Sequence, residues 1–508
     1  MSPPQAARPD ALPAALFVAG GAFALSTGIA VGGEAIAFGA FTFVATSLLA
    51  VGSTKWALLT WPNALLVFIA VLWLVPIKLY RLPVNLPFQL EIYRIMILLL
   101  MAGFVVWSVR TKRPVHAFAA SKPLFVLTAV VLASQVVNAP TIDVPGSEGQ
   151  ALKSLSFFLS YVIVFLLFAS ALDTFHDIER MVTALVIGGA IVAVAALYEG
   201  YTFYNVFDHL SEWIPGFVRN ERDVFDVRAG RLRVHASAQH PIALGAALML
   251  LLPFVVYLAA RAQTLVRRGF WIACLAPIVA GSAATISRTT VALGIAMIVV
   301  AYVVRRQLLA RLAPLLLVLP IFVHAVAPGA MGGLLKSFGD QEGTTFVNSF
   351  YGRAGESGSG RLADIGPAFD LWSRSPIVGL GLDSPQIVTT GISIGPGQPE
   401  AVPIIFDNQY LHTLVTLGLA GLIAVVWLVW GLTAWFVRGA KEMAGPHGDL
   451  VAACAAVCAG YGASMFFYDS LAQVQVTLLL FIAAALGLRT MALAEGRADA
   501  DERRSTMH

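Results

Sequence analysis

The chain has 508 residues, 58% of them hydrophobic and 12% charged, with a mean hydropathy of +0.79. A soluble globular protein carries about twice that charged fraction, so the composition excludes a soluble fold and describes an integral membrane protein. The formal net charge of +4 and the pI near 9.0 give no argument for nucleic acid, because most arginines fall in short linkers between apolar runs, where topology accounts for them.

Apolar runs long enough to span a bilayer, about 17 to 25 residues each, lie near 11–33, 35–54, 57–77, 90–109, 122–140, 153–172, 181–200, 241–260, 270–287, 288–304, 312–328, 411–437, 450–468 and 470–490. The first follows a short polar stretch ending at Asp10 and shows no small-residue cleavage site, so it reads as a retained helix and not a signal peptide. The pattern predicts an all-α polytopic membrane protein with about 12–14 transmembrane helices. Cys274, Cys454 and Cys458 all lie inside apolar runs, and the spacing of the last two is helical, which gives no disulfide framework and no zinc site.

Basic residues set the expected orientation. Arg110, Lys112 and Arg113, then Arg261, Arg267 and Arg268, then Arg305, Arg306 and Arg311, then Arg438 and Lys441, and the tail after Arg489 alternate onto one side, which is therefore cytoplasmic together with both termini. Loops 201–240 and 328–410 fall on the opposite side, with the turn at Ser287-Arg288. Lys78 and Arg81 break this rule, and Pro83 and Pro87, between Lys78 and Glu91, fit a segment lying along the interface.

The loop 328–410 is too polar to cross a bilayer. Within it, Ile365, Phe369 and Trp372 recur at helical spacing, which predicts an amphipathic helix over 359–375 resting on the membrane and bent near Pro367, with Arg361 in its first turn.

Several residues on the loop side invite a chemical reading. Arg228, Arg231 and Arg233 precede His240-Pro241, and guanidinium groups so close together suit a phosphate-rich polyanion; anionic lipid head groups, or pairing with Glu221, Asp223 and Asp226, also account for them. Arg288 stands at the edge of an apolar run, where a charge faces a cavity or partner unless it snorkels to the interface. Asp407-Asn408 opens the run beginning at Leu411, either as an acid/base unit or as an ordinary N-cap. His412 and His240, each at a helix entrance, are the other candidate bases. The sequence carries no nucleotide-binding loop, dinucleotide fingerprint, metalloprotease motif or nucleophile elbow.

In their order and spacing these residues resemble the O-antigen ligase and O-antigen polymerase superfamily of bacterial envelope proteins. The resemblance rests on Arg231-x-Arg233, His240-Pro241 with Gly245, Ser287-Arg288, Ser359-Gly360-Arg361, Trp372 with Pro376, Gly379-x-Gly381, and Asp407-Asn408-x-Tyr410-Leu411 with Gly418 and Gly421, across roughly 150–485. It implies residues 1–150 as N-terminal transmembrane helices, 151–490 as the ligase/polymerase-like core including both long loops, and 491–508 as a cytoplasmic tail. It further implies a metal-independent inverting glycosyltransferase at the periplasmic face of the inner membrane, without cofactor, moving a glycan from undecaprenyl pyrophosphate to an acceptor glycan. Asp407, Arg288 and Arg361 would be catalytic. Arg228, Arg231, Arg233, His240, Trp372, Asn408 and Tyr410 would bind substrate. The lipid bilayer, a flippase and a chain-length regulator are the expected partners, and nucleic acid is not. Many ligases have His-Asn where this chain has Asp407-Asn408, which tilts the expectation from a lipid A core ligase toward a polymerase of exopolysaccharide, capsule or O-antigen repeats. A transporter or flippase is the competing class, but the inverted or parallel repeats of that class are absent from the sequence; a non-catalytic envelope scaffold is the third.

Overall fold

A computed structural model of the chain describes residues 60–81, 91–112, 119–142, 150–214, 217–220, 227–228, 231–306, 365–382 and 406–505. The predicted spans 11–33, 35–54 and 312–328 lie outside the described residues. The rest is a helical bundle: α1 (Trp61–Leu74), α2 (Ile92–Thr111), α3 (Lys122–Ile142), α4 (Gln150–Ala171), α5 (Phe175–Thr202), α6 (Pro241–Leu250), α7 (Leu252–Arg261), α8 (Leu265–Ala284), α9 (Arg288–Arg306), α10 (Ile365–Trp372), α11 (Gln409–Glu442), α12 (Gly445–Ser464) and α13 (Val474–Ser505). Among the described residues nine helical stretches are long and apolar enough to cross a membrane, which makes the chain an all-α polytopic membrane protein.

α13 is the axis of the bundle. In its most apolar 18-residue stretch 89% of the residues are buried, against 22% in that of α2, which turns most of its surface outward. α13 packs on α4 and α12, α11 on α12 and α3, and α5 on α8 and α1. Side-chain hydrophobicity offers little selectivity between helices surrounded by lipid, so close contact at small residues takes over. Trp73 of α1 lies over Gly188 and Gly189 of α5, and Gly281 of α8 sits against Ala193 of the same helix.

Some boundaries differ from the sequence reading for local reasons. α5 begins at Phe175, ahead of the apolar run, because the Thr174 side chain caps it by accepting from the Asp177 N–H. The run 241–260 is two helices meeting at Leu251, where Pro253 cannot donate to the preceding turn. α13 continues through 491–505, a stretch rich in Ala, Leu, Glu and Arg that outweighs the single Gly496, so the expected tail is helical to Ser505.

The most consequential irregularity is in α11. Gly418 has φ 66° and ψ −166°, a conformation essentially confined to glycine, and it splits the long helix inside the apolar layer. The segment Pro376–Gly381 fills the break. Leu419 and Ala420 N–H donate to the Pro376 and Ile377 carbonyls, and Leu380 and Gly381 N–H donate to those of Val415 and Thr416. α3 clamps the junction: Ser134 Oγ donates to Val378 O at 2.7 Å, and Asn138 Nδ2 to Gly379 O at 3.1 Å. The backbone groups freed by the break are thus satisfied by protein, as they must be where water is scarce.

The helix of the large loop is shorter than expected where it is described. α10 spans Ile365–Trp372 with Pro367 in its first turn, where a missing N–H costs no hydrogen bond; Arg361 lies outside the described residues. α10 packs through Ala368 and Leu371 onto Leu380, Phe406 and Val415, while Ile365 and Phe369, two of the three residues that defined the expected apolar face, stay exposed.

A Cβ at Gly418 would lie 2.3 Å from Ile377 O. Gly418→Ala is therefore expected to cost about 1–3 kcal/mol from its backbone conformation alone, with the clash in addition. The check is thermal unfolding of the purified full chain in detergent, alongside trypsin cleavage after Arg374 as a reporter of undocking. Gly366→Ala is the control, because a Cβ there meets nothing within 4 Å; an equal loss in both variants would contradict the docking role of the Gly418 break.

Candidate active site

The described residues among those singled out in the sequence lie in the segment leading into α6, at the start of α9, on α10 and at the start of α11; Arg361 lies outside the described residues. Val227–Arg228 (β1) and Arg231–Leu232 (β2) pair antiparallel, with Arg228 opposite Arg231. The chain then makes a turn over 233–240 that is held from beneath by Glu199 of α5. This buried carboxylate accepts from Ala236 N–H at 2.7 Å and from His235 N–H at 3.3 Å, and pairs with His235 Nδ1 at 3.0 Å. Asn205 Oδ1 accepts from Phe207 N–H, so its amide nitrogen faces His235 Nε2 at 3.1 Å as donor. Nδ1 then carries the imidazole proton toward Glu199.

The turn delivers Arg233 into the protein. Its side chain is 5% exposed, and Nε donates to Thr285 O at 3.0 Å, three residues before Arg288. Arg288 is the half-buried first residue of α9, following Ile286, which has φ 49°. Gly245 of α6 fits against Thr285 and Thr290, so no side chain separates α6 from this turn. The structure therefore brings Arg233 and Arg288 to the same turn. Arg231 is exposed on the hairpin, and nothing is described of the Arg228 side chain.

At the start of α11 the expected cap is displaced by one residue. Asn408, and not Asp407, is the N-cap: its Oδ1 accepts from Tyr410 N–H at 2.9 Å and Leu411 N–H at 3.3 Å, because the neutral amide has the extended backbone that a cap requires. Asp407 is left exposed. Tyr410 is buried, donating to Gly462 O and accepting from Trp430 Nε1, and so ties α11 to α12. His240 caps α6 through Nδ1, which accepts from Ile242 N–H at 3.1 Å. Trp372 Nε1 donates to Pro376 O at 3.0 Å. Asn408, Tyr410, His240 and Trp372 thus have roles in the fold, whatever else they touch.

Beside these elements a cavity of about 250 Å³ opens between α3, α4, α11 and the 469–472 link. Its polar lining comprises Lys78, Lys153, Ser154, Gln409, His412, Thr413, Thr416 and Asp469, and its apolar lining includes Leu127, Val131, Phe157, Phe158 and Leu417. His412 Nδ1 is 2.9 Å from Asp469 Oδ2. With Nδ1–H donated to that carboxylate, Nε2 is the basic nitrogen. Two bonds tie the rim to the arginine side: Gln239 Nε2 donates to Ala472 O at 3.0 Å, and Lys78 Nζ to the same oxygen at 3.3 Å.

Lys78 is the residue that the sequence reading set aside as a topological exception. Its φ is 66°, unusual for a side chain with a Cβ. Its N–H donates to Glu91 Oε2 at 2.6 Å, and its carbonyl accepts from Asn220 Nδ2. Tyr80–Arg81 (numbered β3 here) pairs with Val218–Arg219 (β4) just beyond. The ammonium meets solvent through the cavity, yet the surrounding protein strips much of its water and lowers its pKa; Glu91 opposes that shift and Lys153 adds to it. Burial likewise raises the pKa of Glu91, against the pull of Arg94. Arg94 stacks 3.9 Å from the centre of the Phe157 ring, a cavity wall.

Backbone geometry marks the same region. Five non-glycine residues described have positive φ, and Lys112 and Phe203 are helix C-caps, where that conformation is ordinary. The other three, Lys78, Ala236 and Ile286, belong to the three turns just described, and such outliers concentrate at functional sites. Besides Lys78, sequence reasoning missed Glu199, Lys153 and Asp469. Each had a signal: a carboxylate or amine isolated at the boundary of an apolar run.

Residues 242–426, about a third of the chain, match the family model for O-antigen ligase, which supports the resemblance to the O-antigen ligase and polymerase superfamily. No curated protein matches the chain. The matched stretch contributes Leu382, Gln409, His412, Thr413, Thr416 and Leu417 to the cavity; Lys78, Lys153 and Asp469 come from outside it.

Replacing Glu199 by Ala removes the acceptor for two buried amides, a loss of about 1–3 kcal/mol. Hydrogen exchange of the full chain should then speed up at His235 and Ala236 while the centre of α5 stays protected. Glu199→Gln, which keeps one acceptor oxygen, is expected to fall between. Unchanged exchange at both amides would show that the turn stands without Glu199.

Proposed function

We propose that this chain belongs to the O-antigen ligase and polymerase superfamily and is an inverting glycosyltransferase that joins lipid-linked glycan repeats, taking a glycan from undecaprenyl pyrophosphate and passing it to the sugar hydroxyl of a second lipid-linked unit. The product would be an exopolysaccharide, capsule or O-antigen chain. The observation that carries this reading is the polar cavity set into the end of an apolar bundle, bonded through Ala472 and Gln239 to the segment whose Arg233 reaches the turn of Arg288. A lipid-linked substrate needs such a combination: apolar surroundings for its chain, fixed cations for its phosphates and a base within reach of a sugar.

The donor pyrophosphate binds Arg231, Arg233 and Arg288, with Arg228 and Arg361 completing the set. Guanidinium groups match phosphate oxygens two at a time and keep their charge at any working pH. In the reaction the acceptor oxygen bonds to the anomeric carbon as the bond from that carbon to the pyrophosphate oxygen breaks. The electron pair leaves with the pyrophosphate, whose growing charge the arginines stabilise. The hydroxyl proton passes to a base at the start of α11, where Asp407 and His412 stand little more than one helical turn apart. The cytoplasmic membrane is the setting, with the site on its outer face. Arg110, Lys112, Arg261, Arg267, Arg268, Arg305, Arg306, Arg438 and Lys441 collect at the opposite ends of the helices, as the charge rule asks of a cytoplasmic side.

The test is a deletion strain complemented with wild type, Arg288→Ala or Asp407→Asn at matched expression, with lipid-linked intermediates profiled. Single undecaprenyl-linked repeats should accumulate with Arg288→Ala, whose activity is expected to fall about 10²–10³-fold, the usual loss for one transition-state donor. Long lipid-linked chains that never reach lipid A would make the protein a ligase, and an unchanged profile in both variants would end the transferase reading. A reporter fused near Gly355 should read periplasmic and one near Lys441 cytoplasmic; the reverse would move the site to the wrong face.

A further inference from the structure

Pyrophosphate binding at the arginines leaves the charged groups of the cavity without a part: Lys78, Lys153, His412 and Asp469. Their balance is informative. Two amines against one carboxylate leave a single positive charge when His412 is neutral. The nearby Glu91 does not offset it, being buried and engaged by the Lys78 N–H and by Arg94 at 3.8 Å. A multiply charged pyrophosphate would meet Asp469 at close range, whereas one carboxylate matches the single net positive charge. The rest of the lining suits a sugar ring: Ser154, Gln409, Thr413 and Thr416 offer hydroxyl and amide partners, and Phe157 and Phe158 an apolar wall. At about 250 Å³ the space is smaller than the roughly 300–1,000 Å³ pockets of drug-sized ligands, so it admits one ring and not a whole repeat unit.

We propose that this cavity is the acceptor subsite of the transferase and that it takes a sugar bearing a carboxylate, with the Lys78 and Lys153 amines holding that carboxylate and His412 receiving the proton of the attacking hydroxyl. The inference rests on the transferase reading and adds to it the class of acceptor, a uronic-acid-type residue at the end of the lipid-linked repeat. As the new glycosidic bond forms, the hydroxyl proton moves to His412 Nε2, while Nδ1–H remains donated to Asp469 Oδ2 and stabilises the imidazolium. Asp469 is thus a positioning residue. His412 and both lysines touch the sugar. Lys78 comes from the turn after α1, Lys153 from α4, His412 from α11 and Asp469 from the α12–α13 link, so four segments of the chain define one sugar's place.

The experiment uses the full chain in lipid nanodiscs, with methyl β-D-glucuronoside, methyl β-D-glucoside and inorganic pyrophosphate as probes. Wild type should bind the glucuronoside at least about tenfold more tightly than the neutral glucoside, the size of one charge-assisted contact. Lys78→Gln and Lys153→Gln should each weaken glucuronoside binding about tenfold and leave pyrophosphate binding unchanged, and Lys153→Arg, which keeps the charge, should restore it. Arg288→Ala should do the opposite, losing pyrophosphate and keeping the glucuronoside. His412→Gln should retain glucuronoside binding yet stop polymerisation, and Asp469→Asn should lower kcat more than it raises KM. Equal binding of the two glycosides, or no binding of either, overturns the proposal. So does loss of pyrophosphate in the lysine variants, which would make the cavity a site for the lipid carrier's phosphates. None of these outcomes bears on whether Arg288→Ala accumulates single lipid-linked repeats, so a failed acceptor assignment is distinguishable from a failed transferase.

Discussion

The break in α11 at Gly418 is the constraint on which the rest of this structure depends. A helix interrupted at membrane depth exposes backbone donors and acceptors that cost several kcal/mol each if left unmet, and here the segment Pro376–Gly381 meets them. Gly379 and Gly418 lie back to back, and a Cβ on either would come within 2.4 Å of the other strand's backbone. Ser134 and Asn138 then fasten the junction to α3. One contact therefore fixes three things at once: the attachment of the large loop to the bundle, the direction of the first turns of α11, and the spacing between α3 and α11 in which the cavity opens. His412, Thr413, Thr416 and Leu417, all cavity residues, lie on the short helical piece just before the break.

A second constraint is electrostatic. Cations kept near an apolar layer must be held by partners or by rings, and three at this end of the bundle show how. Arg233 is anchored on the Thr285 carbonyl, Arg94 on the Phe157 ring and Tyr93, and Lys78 on Ala472 O. The anions are handled alike, with Glu199 buried under two amide donors and Glu91 under one. The charges are set in place by the fold before any ligand arrives, so their reorganisation adds little to the barrier of a reaction in which charge develops on a leaving group. The unusual backbone at Lys78, Ala236 and Ile286 belongs to the same arrangement, since each places a charged residue or its neighbour where an ordinary turn would not.

Much of this was legible in the sequence, and what was not shares a cause. The apolar runs gave the helices because a lipid-exposed span has to be apolar along its whole length, whereas Gly379 and Gly418 entered only as parts of the resemblance, with nothing to show that the two pack against each other. The arginines stood out because a guanidinium beside an apolar run is rare. Lys78, Lys153 and Asp469 did not, although each is as anomalous locally: one violates the charge rule, one opens an apolar run, and one sits between two of them. Their meaning lies in contacts between segments hundreds of residues apart, such as Lys78 with Ala472, and spacing along the chain holds no trace of those. The cap at Asn408 is a smaller case of the same kind. Two adjacent capping types were available, and only the backbone conformation at 408 chose between them.

The cavity also divides unevenly along the chain. The stretch that matches O-antigen ligase supplies the broken helix and the turn carrying Arg288, whereas the amines at 78 and 153 and the carboxylate at 469 come from elements on either side of it. On the proposed mechanism, Arg288 and Arg361 of the pyrophosphate set lie in the matched stretch and Arg228, Arg231 and Arg233 just before it, and none of these arginines lines the cavity to which Lys78 and Lys153 belong, so sugar recognition by the lysines can change without altering them. Substitutions at 78 or 153 alter which sugar is accepted without disturbing the Gly379–Gly418 junction, because neither lysine contributes a hydrogen bond to it. Changes within 376–381 or 416–420 have no such freedom: a displaced junction moves His412 and the α3 wall together, and any sugar held between them loses its alignment with the donor. On the proposed mechanism, recognition rests on side chains outside the junction and alignment on a backbone contact within it.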